Sequence, residues 1–263
     1  MEGALGNLLI VYVIISQIRL RTGCGLLIAN CLVAYTILCG FSFPIVGTSV
    51  YRKQFGQPVL GPQSCKPLQW IQLACRFAAY WFDLFIAINR VVAVCYPYRY
   101  RTFSRPCHVI VGIVGLWLTA LAYSSLGWFD IGVNFIMLPL GTCAALPSGR
   151  MGQVVLYTGF YMPGASTTGL YVFLYAMIKR GKQQIQPESA RNPRQRKIAL
   201  ANQRRMITTN MMCVSFVWTA ACSMILPVTI SLIKVAEDEV KQPLAVIWLA
   251  AIQLLGYAVN PVG

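Results

Sequence analysis

The segment CKPLQWIQLACRFAAYWFDLFIAINRVVAVCYPYRY, residues 65–100, sets the reading of the whole chain. From Trp70 to Ile88 it is almost unbroken apolar sequence. At a helical rise of ~1.5 Å per residue such a run crosses a bilayer, which takes roughly 20 residues. Its polar members keep a period. Gln69, Arg76, Asp83 and Arg90 recur every seven residues, and Gln72 joins their face three positions after Gln69. On a helix this spacing draws one slowly drifting seam, the seam that meets neighbouring helices in a left-handed bundle. A charge turned toward lipid costs several kcal/mol, so these groups are expected to face inward and to serve function. The segment reads as the central helix of a membrane protein with several spans.

The surrounding sequence agrees. Of 263 residues, 57% are hydrophobic and 11% charged, where soluble domains carry about 25% charged residues. Lipid in place of water over most of the surface accounts for the deficit. Apolar runs predict spans at 3–18, 24–48, 67–93, 109–129, 153–178, 207–233 and 244–263, each near bilayer length except the first. Backbone groups in hydrocarbon must be satisfied internally, so the spans are helices; a barrel would show short alternating strands. The expected fold is an all-α membrane protein, a seven-transmembrane helix bundle occupying residues 1–263 as a single domain. The short first run shows no cleavable leader and reads as a fragment lacking its outer half. No repeat of 20–50 residues is visible, so transporter-style duplication finds no support.

The net charge of +15 is unevenly spread. With the start placed outside, Arg19, Arg21, Arg90, Arg99, Arg101, Arg105 and nine more basic residues between Lys179 and Arg205 fall on the inner side, opposed only by Glu188. The outer side holds Arg52, Lys53, Lys66, Arg150, Lys234 and Lys241 against Glu2, Asp130, Glu237, Asp238 and Glu239. The Lys and Arg excess marks the inner loops as cytoplasmic and puts the N-terminus outside. The charge thus reports topology, and nucleic acid is not an expected partner. The cationic third loop (Arg180 to Arg205) serves as a topology signal that meets anionic lipid heads, or as a dock for a cytosolic partner, and both roles are compatible. Pro187 and Pro193 forbid one continuous helix through it.

Cys65 at the outer start of the third span and Cys143 in the long outer loop (Asp130 to Arg150) both face the oxidising side, so a disulfide tying loop to helix is expected. The other eight cysteines fall in spans or inside and read as small apolar fillers or free thiols. His108 is the sole histidine, which speaks against a metal site, a cofactor cluster or histidine-dependent catalysis. Pro44, Pro163 and Pro227 interrupt spans two, five and six, as tolerated kinks or as hinges of an inner-side opening.

The seam residues each allow two readings. Arg90, at the inner end of span three, is either a snorkelling interfacial arginine or a switch residue. Arg76 sits too deep to snorkel easily. It either pairs with Asp83, two turns or roughly 10 Å inward, or it lines a water-accessible pocket with Gln69 and Gln72. There it would recognise an acidic or carbonyl-bearing ligand.

Taken in order, these residues resemble the rhodopsin-like (class A) seven-transmembrane G-protein-coupled receptors over essentially the whole chain. Gly6-Asn7 resembles the Gly-Asn of the family's first span, and Asn30-Cys31-Leu32-Val33-Ala34 its Asn-Leu-Ala-x-Ala. Cys65 stands 25 residues before Arg90, the family's separation of cysteine and Asp-Arg-Tyr arginine, here written Asn89-Arg90-Val91. Trp117, Cys143, Pro163 with Tyr171, Pro227 and Asn260-Pro261 follow in family order. Ala87-Ile88-Asn89-Arg90 and Tyr98-Arg99-Tyr100-Arg101-Thr102-Phe103 are also similar to nematode serpentine chemoreceptors of class x. Departures are specific. Tyr35 and Ala79 stand where the family holds sodium, Asn89 and Ile207 where it builds an arginine lock, and Ile225 where it has a toggle tryptophan. Gln72 replaces the aspartate of amine receptors, and the chain stops at Gly263, before the tyrosine of the seventh-span motif.

The resemblance implies a receptor, not an enzyme, that binds an extracellular small molecule or peptide and activates a heterotrimeric G protein. Gln69, Gln72 and Arg76 would meet the ligand, and Asn89, Arg90, Tyr171, Asn260 and Pro261 would carry the activation switch. It would sit in the plasma membrane among lipids, without cofactor. The competing class is a transporter or channel using Gln72, Arg76 and Asp83 as a polar path.

Overall fold

A computed structural model of the chain describes residues 2–21, 23–57, 61–96, 99–100, 104–137 and 143–185. Predicted spans 207–233 and 244–263, with Ile207, Ile225, Pro227, Asn260 and Pro261, lie outside the described residues. The chain divides into two units, Met1–Ser166 and Thr167–Gly263.

In the first unit, helix α1 (Glu2–Ser16) buries Ala4, Asn7, Val11 and Ile14, a stripe at three- and four-residue spacing that packs on the next helix. Its other side, with Leu5, Leu8, Leu9 and Tyr12, is exposed and apolar, a face suited to lipid. After a 3₁₀ turn (Ile18–Leu20), Arg21 donates its Nε to the Ile15 carbonyl at 2.7 Å and satisfies one of the open acceptors at the end of α1.

Helix α2 (Gly23–Ile37) runs through a wide π turn (Leu38–Ser42) into α3 (Phe43–Gln54). The cause is local. Pro44 has no N–H for the carbonyl four residues back, at Gly40, and its ring would press on that carbonyl in a regular helix. A wider turn removes the clash and keeps the helix going. The same solution recurs further on. Helix α6 (Gly149–Leu156) passes through a π turn (Tyr157–Tyr161) into α7 (Met162–Ile185), with Pro163 four residues after Gly159. The two sites share a pattern, Gly40-Phe41-Ser42-Phe43-Pro44 and Gly159-Phe160-Tyr161-Met162-Pro163.

Helix α4 (Pro62–Cys95, 34 residues) is the centre of this unit and packs against α2, against α5 (Pro106–Trp128) and against the hairpin described below. No α4 side chain between 68 and 93 is exposed, as the inward seam requires. Helix α5 buries Val109, Ile113, Leu116, Ala120, Ser124 and Gly127 along one stripe and exposes Ile110, Val111, Val114 and Leu118 on the other. Among the described residues, Gly23–Ser49, Gln63–Cys95 and Pro106–Trp128 are long and apolar enough to cross a bilayer, and Gly3–Ser16 is apolar but shorter.

The segment between α5 and α6 holds a strand pair that its turn-rich sequence does not announce. Strands β1 (Val133–Met137) and β2 (Cys143–Pro147) form an antiparallel hairpin with Met137 opposite Cys143 and Val133 opposite Pro147. Gly132, at φ +74°, turns the chain from α5 into β1, and its carbonyl accepts from the Ser148 amide at 2.7 Å.

Of the second unit, residues 167–185 are described, the C-terminal part of α7. Thr167, Tyr171 and Leu174 are buried there at helical spacing. The helix runs to Ile185, two residues before Pro187.

Candidate functional site

Helix α4 carries its polar side chains at successive levels. At the first, a disulfide joins Cys65 to Cys143 of β2, with Cα atoms 5.5 Å apart. One turn further, buried Gln69 donates its side-chain amide to the Cys143 carbonyl. The hairpin is therefore fastened to α4 by a covalent bond and a hydrogen bond at the same residue. Trp70 donates its Nε1 to Ser125 Oγ at 3.2 Å and meets Trp128 edge to face, which ties α4 to the end of α5. Lys66 and Asp130 pair at 2.8 Å with both side chains about half exposed; such a surface pair contributes at most about 1 kcal/mol.

At the second level stand Gln72 and Arg76. Gln72 is 5% exposed, and its Oε1 has no hydrogen-bond donor among the described residues. Arg76 is half-buried, and its Nε is sealed from solvent without an acceptor among the described residues.

The third level is satisfied. Asp83 accepts from the Tyr35 hydroxyl at 3.0 Å and from the Cys31 thiol at 3.5 Å, both on α2 and one turn apart. Asp83 is thus bound across the helix interface, and the Arg76–Asp83 pair permitted by the spacing is not formed. A polar path running through Gln72, Arg76 and Asp83 has its last member already bound to α2.

At the fourth level, Asn89 is 2% exposed with Nδ2 unpartnered among the described residues, and Arg90 is half-buried with Nε in the same condition. Tyr171 is buried on α7. Asn260 and Pro261 fall outside the described residues. Structurally, Asn30 and Trp117 belong together: Trp117 Nε1 donates to Asn30 Oδ1 at 3.3 Å, and Asn30 donates to the Leu26 carbonyl at 2.9 Å.

Two groupings escaped the sequence reading. Cys31 and Tyr35 have i, i+4 spacing, which places them on one face, but nothing local names the carboxylate they meet. The other is aromatic: the Phe77 ring lies against Gly159 in the second π turn, 4.7 Å from the Phe160 ring and 5.5 Å from that of Tyr123, and Tyr80 meets Phe160 edge to face.

Comparison with known proteins adds an independent finding. A family profile described as "7 transmembrane receptor (rhodopsin family)" matches residues 6–262. Similar proteins include G-protein coupled receptor 39 of Bos taurus, 32% identical over 72 residues, which are 27% of this chain and 16% of that protein. Rhodopsin of Bufo bufo is 29% identical over 127 residues, 46% of this chain and 34% of that protein. The aligned stretches span about a sixth and a third of these two relatives.

Proposed function

This chain belongs to the rhodopsin family of seven-transmembrane receptors, and from that premise we propose that it is a G-protein-coupled receptor. It is a multi-pass membrane protein. In the proposed reading, residues 1–263 form one seven-helix receptor domain in the plasma membrane with its N-terminus outside. It takes up a small molecule or peptide from outside and passes the change to a heterotrimeric G protein.

The observation that carries the reading is the family match over residues 6–262. The levels of α4 support it. Sealed polar atoms without partners among the described residues stand on one side of Asp83, at Gln72 and Arg76, and on the other, at Asn89 and Arg90, while Asp83 itself is bound. A receptor needs this division, because its ligand and its partner must each find groups not already spent on the fold. Gln72 and Arg76 would meet the ligand beneath the hairpin that Gln69 helps to hold. Asn89, Arg90, Tyr171, Asn260 and Pro261 would serve coupling. The disulfide supports the orientation, since it needs an oxidising compartment. A chemosensory role rests on the nematode-like runs at 87–90 and 98–103.

The test is nucleotide exchange on a purified heterotrimeric G protein by the chain in lipid nanodiscs, across a ligand panel. Exchange stimulated by a compound and lost in Arg90→Ala supports the receptor reading. Compound flux across vesicles without exchange on any G protein tested would overturn it.

A further inference from the structure

Asp83 is the one acidic residue inside any predicted span, and the other six acids of the chain lie at or beyond span ends. Its oxygens are taken by Tyr35 and Cys31. Asp130 is paired with Lys66. Among the described residues Arg76 is therefore a guanidinium at membrane depth with no carboxylate partner, and its sealed Nε has no acceptor there. One turn away on the same helix, Gln72 Oε1 is a sealed acceptor with no donor among them. An unpaired charge in such surroundings costs several kcal/mol, and a natural way to recover that cost is an anion supplied from outside.

Resting on the receptor reading above, we propose that the ligand is a small organic carboxylate carrying a hydroxyl or amide N–H. The carboxylate lies across the Nε edge of Arg76, where the planar guanidinium offers two parallel donors. The ligand's own donor reaches Gln72 Oε1, about 5–6 Å along the helix. Cationic amines are rejected by Arg76, and neutral esters lose both charge and fork.

The test uses the chain in nanodiscs of uncharged phosphatidylcholine, so that acidic lipid cannot fill the site. The probes are mandelate, hippurate and hydroxyphenylacetate, each beside its methyl ester, and the readout is the unfolding midpoint. At least one acid should raise the midpoint saturably while its ester does not. Arg76→Lys should weaken that response about tenfold by losing the fork, and Arg76→Met should weaken it at least about a hundredfold. Gln72→Leu should cost about tenfold. Without any probe, Arg76→Met should unfold no earlier than the parent, because it removes a charge that no described residue pairs.

Acids and esters acting alike, no acid acting at all, an acid response that survives Arg76→Met, or a probe-free midpoint that falls in Arg76→Met would each overturn the proposal. The two readings fail separately. Exchange driven by an uncharged ligand and unchanged in Arg76→Met would leave the receptor standing and remove the carboxylate. Acid binding without exchange would do the reverse.

Discussion

Asp83 shows how a carboxylate inside an apolar helix can be accommodated by a neighbouring helix. The Tyr35 hydroxyl on α2 serves this carboxylate on α4, with Cys31 as second donor. Hydrogen bonds between helices in lipid average below 1 kcal/mol because the separated helices find other partners. Tyr35→Phe should therefore cost about 1 kcal/mol and lower the unfolding midpoint by a few degrees. Asp83→Asn, which keeps a carbonyl acceptor for Tyr35, should cost less. Asp83→Leu takes the carboxylate away from both the Tyr35 hydroxyl and the Cys31 thiol and should cost more, about 1–3 kcal/mol. A midpoint unmoved by both Tyr35→Phe and Asp83→Leu would show that this contact does not hold α2 to α4. The sequence marked Asp83 as inward by its seven-residue spacing, but its partner belongs to another helix, and no local pattern carries that information.

The two wide turns have the same cause but different surroundings. A Cβ on Gly159 would run into the Phe77 ring, whereas among the described residues one on Gly40 would meet the Ala4 methyl at 3.2 Å. Gly159→Ala should destabilise by about 1–3 kcal/mol through overpacking, and Gly40→Ala by clearly less. Shrinking the obstacle should relieve the first, so Phe77→Leu combined with Gly159→Ala should cost less than the two separate losses added together. Strict additivity in that cycle, measured by thermal unfolding, would mean that the ring and the glycine do not press on one another. The spans predicted at 24–48, 67–93 and 109–129 were legible because hydropathy alone selects lipid-crossing helices. The turns were not, since Pro44 and Pro163 announce a disturbance without saying whether the helix bends, stops or widens. Nor was the hairpin. Val133-Asn134-Phe135-Ile136-Met137 alternates only in part, and the strand is completed by its attachment to α4 rather than by its own pattern.

For the molecule as a whole, the Cys65–Cys143 bond closes a loop of 78 residues that contains most of α4, all of α5 and β1. Chain-entropy reasoning puts the value of such a closure at about 4 kcal/mol. Cys65→Ser or Cys143→Ser should lower surface display and ligand binding together, as read by antibody labelling of intact cells. Normal binding in either variant would take the bond out of the functional account. The wide turns act over a similar range. Each adds a residue to its helix, and one residue is about 100° of azimuth. Excising Phe41 would do harm twice, because it presses Pro44 back on the carbonyl four residues before it and re-phases every position that follows. Ser49, now 2% exposed, would swing off its bearing toward the hydrocarbon. The shortened chain should unfold earlier than Phe41→Ala, which leaves the phase alone. In this protein a proline's local inconvenience has become the setting that aims an entire helical segment.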